Sequence, residues 1–267
     1  MTVRKLSRYG FILRTAARQQ WVYRGELGIQ TISMIVFMGI FMALWTTAYG
    51  VSGKAELAGY SLAQVVWYLG MTESIALSSS RIFNEIGAAV RAGDLAYTLS
   101  RPLSYPFYQV ANSLGNSVPR FLVNFLTAIA VVGIGIGQFA GSPQGIAAFL
   151  VMAMLALLLD ALIAVLIGLA AFWLEEVNPV FLIYQKLLFT VGGMFLPLEM
   201  FPGWLRRIAT WMPFQFITYA PPRAFVDFEP EFVMQALVGQ VIYVVVLAAL
   251  VSLVWRIAQR RMVVHGG

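Results

Sequence analysis

The chain has 267 residues, of which 60% are hydrophobic and 11% charged, with a mean hydropathy of +0.79 and a net charge of +6. A soluble domain is roughly one quarter charged, so too few ionisable groups are present to cover a water-facing surface, which excludes an ordinary cytosolic enzyme. The chain has no cysteine and one histidine, His265 in a C-terminal tail, which leaves no disulfide, thiolate ligand, histidine metal site or Ser-His hydrolase.

Taken in chain order, residues 1–26 read as an amphipathic interfacial helix. On a helical wheel Arg4, Lys5, Arg8, Arg14 and Arg18 fall on one side, and Leu6, Tyr9, Leu13, Ala16, Ala17 and Trp21 on the other, with Phe11 and Ile12 breaking the pattern. No compact apolar core with a cleavage site precedes the first span, so that span is expected to be a retained anchor. Each span needs about 20 apolar residues. Six stretches qualify, at 27–49, 57–79, 120–139, 146–173, 180–198 and 232–255. The second is the most polar, with Gln64 and Glu73.

Lys and Arg in the connections divide twelve against four in favour of the side carrying both termini, which places the termini in the cytoplasm. The four are Lys54, Arg206, Arg207 and Arg223. In so apolar a chain, the excess of positive charge points to basic loops against headgroups rather than to nucleic acid.

The longest cytoplasmic connection, 80–104, places Ile82, Ile86 and Val90 at four-residue spacing. That predicts a short helix ended by Gly93, with a break at Arg101-Pro102. With Glu85, Arg91 and Asp94 exposed, it is either a docking surface for a soluble partner or a solvated connector with an incidental stripe. Composition leaves the two readings even.

Residues 192–214 interrupt an apolar stretch with Pro197, Pro202 and Pro213 and interleave Phe201, Trp204 and Trp211. Broken backbone is not tolerated against lipid, so this segment is expected to form two short half-helices that re-enter the outer leaflet and cap a pathway. An external loop with interfacial aromatics is the simpler alternative.

Two acids lie within apolar stretches, and an ionisable residue at depth is a functional hypothesis. Asp160 reads as a hydrogen-bonded acid at a helix contact, while for Glu73 pathway lining and packing are even. Gly133, Gly135 and Gly137 sit in a membrane stretch, where small residues serve helix packing. Gly53-Lys54 lacks the Ser or Thr and the leading Gly of a phosphate loop. No ATP-binding motif is therefore present.

The passage IGAAVRAGDLAYTLSRPLSYPFY at 86–108 and the passage GMFLPLEMFPGWLRRIATWMPF at 193–214 are similar to stretches of the permease subunits of type-2 ATP-binding-cassette exporters. Ala89-Val90 departs from them, because relatives more often carry a further charge there. The resemblance covers essentially the whole chain. It implies an all-α integral membrane protein with six transmembrane helices, an N-terminal interfacial helix, a cytoplasmic coupling helix and a re-entrant hairpin before the last span.

The resemblance also implies a transport subunit of the bacterial inner membrane with no activity of its own and no cofactor. ATP and Mg are held by a dimer of partner ATPase subunits, and a second permease, identical or related, completes the pathway. Coupling to the ATPase then falls to Ile82, Glu85, Ile86, Arg91, Gly93, Asp94 and Arg101. Gating falls to Pro197, Phe201, Pro202, Trp204, Trp211 and Pro213, and the cargo is a lipid, a drug-like compound or a glycan. The competing expectation is an ion-gradient-driven transporter or channel in which Asp160 or Glu73 carries a proton.

Overall fold

The computed structural model describes residues 2–20, 24–93, 95 and 103–265. The fold is all-α apart from one tiny hairpin. Helix α1 (Thr2–Gln20) precedes the long α2 (Arg24–Ser52). Strands β1 (Glu56–Leu57) and β2 (Tyr60–Ser61) then pair antiparallel with Glu56 opposite Ser61. Next come α3 (Leu62–Ala76), α4 (Ile82–Ala92), α5 (Tyr105–Ile136) and α6 (Pro143–Leu169). After a 3-10 turn at Ala170–Phe172, the chain forms α7 (Asn178–Thr190) and a second 3-10 turn at Leu198–Met200. The short helices α8 (Gly203–Thr210), α9 (Gln215–Thr218) and α10 (Ala220–Val226) lead into α11 (Pro230–His265).

Among the described residues four helices are long and apolar enough to cross a membrane: Leu27–Ser52, Tyr105–Ile136, Pro143–Phe172 and Pro230–Arg260. The second and fifth expected stretches become shorter helices for local reasons. The Ser61 hydroxyl accepts from the Gln64 backbone N–H while the Gln64 side chain accepts from the Ser61 N–H, a capping box that starts α3 at Leu62, after a tight turn. Its 15 residues rise only about 22 Å. Helix α7 starts with a proline in its first turn and ends at Thr190, before Gly193 turns the chain at φ +77°. The third stretch differs the other way. Helix α5 begins at Tyr105, fifteen residues before the expected start at Arg120, and rises about 48 Å over its 32 residues.

Helix α3 is the innermost element, with Val65, Val66, Trp67, Tyr68 and Leu69 all essentially inaccessible. Around it α6 packs against α4, α5, α10 and α11. Lipid tails are as apolar as leucine, so helices associate through close packing rather than through hydrophobic exclusion. A Cβ on Gly145 would stand 2.7 Å from the Phe225 carbonyl, and one on Gly115 would stand 2.5 Å from the Leu13 carbonyl. The second contact seats α1 along the first four turns of α5. Ala16 is buried there and Tyr9, Leu13 and Ala17 are half-buried, while Arg8, Arg14 and Arg18 stay exposed. Among the described side chains the two faces of the wheel are separated and the apolar one rests on α5; the side chains of Arg4, Lys5, Leu6 and Trp21 lie outside the described residues.

The bundle has two chemically different ends. At the hairpin end, Trp67 donates to the Gln138 carbonyl at 2.7 Å and packs with Phe139 and Phe225. At the basic end, Tyr105 stacks on Trp255 at 5.3 Å, next to Phe172, with Arg256 and Arg260 beyond.

Candidate coupling and gating elements

Helix α4 lies across the basic end of α6. Ile82, Phe83, Ile86 and Gly87 are its buried face, and Phe83 stacks on Phe181 of α7 at 4.1 Å. Ile86 enters the space that a Cβ on Gly168 would occupy, and Gly87 meets Val177 and Ala171 just past α6. The apolar stripe seen in the sequence is therefore packed into protein. Gly93 adopts φ +73°, a left-handed cap that few other residues tolerate, and its N–H closes on the Ala89 and Val90 carbonyls. Arg91 is exposed and donates to the Glu175 carbonyl at 3.2 Å, which ties α4 to the connection after α6. Glu85 stands exposed at the mouth of a cavity, where partial burial pushes its carboxyl above the usual range. Asp94 and Arg101 lie outside the described residues.

The 192–214 segment is not a symmetric pair of half-helices: it holds a three-residue 3-10 turn and the eight-residue α8. Side chains of other helices fasten its backbone. Tyr68 donates to the Gly193 carbonyl, Thr218 donates to the Gly192 carbonyl at 2.7 Å, and Tyr243 of α11 donates to the Trp211 carbonyl. Pro197 is buried, Phe201 and Pro213 are half-buried, and Pro202 is exposed. Trp204 and Trp211 are 66% and 83% exposed on the surface of the single chain.

Sequence reasoning missed the side-chain cluster that anchors this segment. Arg223 Nε meets Glu199 Oε1 at 3.2 Å, and Nη2 meets Glu229 at 3.2 Å and Asp227 at 3.4 Å. The guanidinium also lies 3.9 Å from the Phe232 ring centre. Tyr219 donates to the same Glu199 oxygen at 2.5 Å. Burial first, then the Glu199 charge, pushes the Tyr60 and Tyr219 hydroxyls above their ordinary value, so both remain protonated. The available signal was one Glu and one Arg, each inside a Pro-rich apolar run.

The two intramembrane acids differ sharply. Asp160 is 5% exposed and both its oxygens are occupied, Oδ1 by the Tyr184 hydroxyl at 2.7 Å and Oδ2 by the Ser79 hydroxyl at 2.6 Å. It joins α6, α7 and the α3–α4 turn, as a hydrogen-bonded acid at a helix contact would. Glu73 is equally buried, yet no donor among the described residues meets its carboxylate. Among the described residues no group of three or more His, Asp or Glu could hold a metal ion.

Lys186 is a second residue whose importance only the fold reveals. The Tyr184–Asp160 bond places α7 beside a point nine residues before the end of α6, about 14 Å in by helical rise. Lys186 lies two residues further from that end and is exposed on the same face as Leu182 and Ile183.

Residues 34–266 match the sequence model of the ABC-2 family transporter proteins, a stretch that includes most of the first candidate membrane helix, the other three whole and both segments above. The chain belongs to the ABC-2 transporter family. It is accordingly a permease component, the membrane subunit of an ABC exporter, and a multi-pass membrane protein. Comparison with curated proteins finds no match. In this permease, α4 and the 192–214 segment stand at opposite ends of the bundle, joined by α3 and α6.

Proposed function

We propose that this permease moves a hydrophobic or amphipathic substrate outward across a bacterial inner membrane, driven by ATP hydrolysed on a separate ATPase dimer that holds the nucleotide and Mg. The basic end, with α1, α4 and both termini, faces the cytoplasm, in line with the positive-inside rule. Helices α3 and α7, extended by the irregular segments beside them, complete the second and fifth of six crossings. Irregular backbone at that depth is tolerated because protein surrounds it. A second permease, the same chain or a related one, forms the other half of the path.

One observation carries the reading: the seat of Ile86 on Gly168. A close-packed contact transmits displacement, because packed interfaces shift between discrete arrangements rather than deforming smoothly. An ATPase that engages the exposed Glu85 and Arg91 side of α4 would thus move α6 and α3. Tyr68 of α3 in turn holds Gly193 at the start of the re-entrant segment. The gradient-driven alternative needs an acid free to exchange a proton: both oxygens of Asp160 are engaged, which leaves the buried Glu73 as the acid on which that alternative would rest.

The test is co-purification from the native host in mild detergent. A stoichiometric ATPase whose activity rises in the complex is the expected result. Gradient-dependent, ATP-independent flux by the isolated chain in liposomes would overturn it.

A further inference from the structure

At the hairpin end of the bundle, a cavity of about 510 Å³ opens between α8, α9, α10 and the first turns of α11. The residues of this end, 49–70, 131–149 and 192–240, all belong to the described ones, so its charge balance is complete. Glu199 and Arg223 form part of the wall. Three carboxylates, Glu199, Asp227 and Glu229, already surround Arg223, and the Tyr219 hydroxyl shares the Glu199 oxygen that Arg223 meets. Arg206 at the mouth is exposed and has no carboxylate partner. With three carboxylates gathered on one guanidinium behind it, the site as a whole does not favour an anion.

The polar groups left over are neutral. Gln215 is 6% exposed; its amide nitrogen donates to the Thr210 carbonyl, while its Oε1, open to the cavity, accepts from no donor. Gln235 repeats the pattern on α11: its nitrogen donates to Glu231 at 3.3 Å and its Oε1 accepts nothing. Two amide oxygens thus line a cavity that holds no donor for them. Phe216 and Phe232 contribute flat apolar walls, and the Trp211 ring stands exposed at the mouth. Beside Gln235, Met234 and Val238 are exposed and begin an apolar stripe along α11.

We propose that this cavity takes the glycosyl headgroup of a lipid in the leaflet away from the basic end. Ring hydroxyls donate to the Gln215 and Gln235 oxygens and accept from Arg206, the C–H face of the sugar lies on Trp211, and the alkyl chain runs along Met234 and Val238. Only a hydroxyl supplies both senses of hydrogen bond: an ionised phosphate accepts only and an ammonium donates only. A few placed polar groups between apolar walls are the usual build of such a site. The inference goes beyond the exporter reading and does not need it, because the mouth opens on the exposed side of α11 rather than toward α3.

The test is calorimetric titration of the full chain in an amine-oxide detergent, which carries no sugar, with hexyl glucoside, hexyl phosphate, hexylamine and glucose as probes. Hexyl glucoside is expected to bind roughly tenfold more tightly than the other two hexyl compounds, the worth of one or two net hydrogen bonds. Gln235→Leu, at an exposed position, should remove most of that preference at an unchanged melting temperature, and Gln215→Met should do the same. Gln138→Leu, exposed at the same end but outside the cavity, should leave it intact.

Equal affinity for the three hexyl compounds, or the full preference kept in both Gln235→Leu and Gln215→Met, would overturn the proposal. Tighter binding of hexyl phosphate would make this an anion site and tighter binding of hexylamine a cation site, and either result overturns the glycosyl headgroup. Glucose binding as tightly as hexyl glucoside would overturn the lipid, because the cavity would then serve a soluble sugar.

Discussion

Ile86 and Gly168 occupy one another's space: a Cβ on Gly168 would lie 2.7 Å from the Ile86 Cβ. Only a residue without a side chain lets α4 lie this close to α6.

Gly168→Leu should therefore push α4 off its seat. Overpacking of this kind costs about 1–3 kcal/mol, and loss of substrate-stimulated ATPase activity in the complex is expected with ATPase association retained. A variant that unfolds 5 °C or more below the parent tells only of stability, so Gly168→Ala, a smaller intrusion, is measured beside it. Undiminished stimulation in both would show that this contact transmits nothing.

Asp160 should act as a clamp rather than as a proton carrier. Asp160→Ala strands the buried Tyr184 hydroxyl, at about 1–3 kcal/mol for an unmet group, whereas the half-buried Ser79 hydroxyl lines the cavity at the basic end and can turn to water. Asp160→Asn keeps an acceptor for one of them and should cost less. Thermal unfolding in detergent measures both. Transport abolished by Asp160→Asn at unchanged stability would point back to proton chemistry.

The Arg223–Glu199 pair should hold the re-entrant segment down. Both side chains are largely buried, at 13% and 18% exposure. Removing the guanidinium leaves Glu199, Asp227 and Glu229 to repel one another. Arg223→Gln is expected to speed amide exchange across residues 195–210 by roughly tenfold, as a loss of about 1.4 kcal/mol would. The double exchange Glu199→Arg with Arg223→Glu should recover part of that protection. Equal exchange in the parent and Arg223→Gln would remove the anchoring role.

Charge reversal on the exposed side of α4 should weaken the ATPase without harming the bundle. Glu85→Lys is expected to lower ATPase affinity about two- to fivefold, the range of an exposed ion pair. The melting temperature should stay the same. Affinity that does not change would place the docking surface elsewhere.

Much of this arrangement was legible in the chain itself. The Ile82–Ile86 spacing and the Gly93 stop foretold a short helix that ends at Gly93, because helical periodicity and left-handed caps are local properties. The Pro and Gly spacing foretold a broken segment at 192–214 for the same reason. The lengths of the second and fifth helices were not legible. A run of apolar residues reads alike whether it faces lipid or protein, and the short capping box at Ser61–Gln64 was hidden inside one such run. Nor could spacing pair Arg223 with Glu199, 24 residues away, or Asp160 with Ser79, 81 residues away.

The sequence alone determined that this is an all-α membrane protein with its charge gathered toward one end, since composition and charge bias set which solvent a segment prefers. Tertiary structure decided where each rare polar group finds its partner. It closed Asp160 between two hydroxyls, locked Arg223 onto Glu199 of the 192–214 segment, and left Lys186 open on a helix face. Burying or exposing a charge depends on which helices meet, and helices meet through close packing, which composition does not encode.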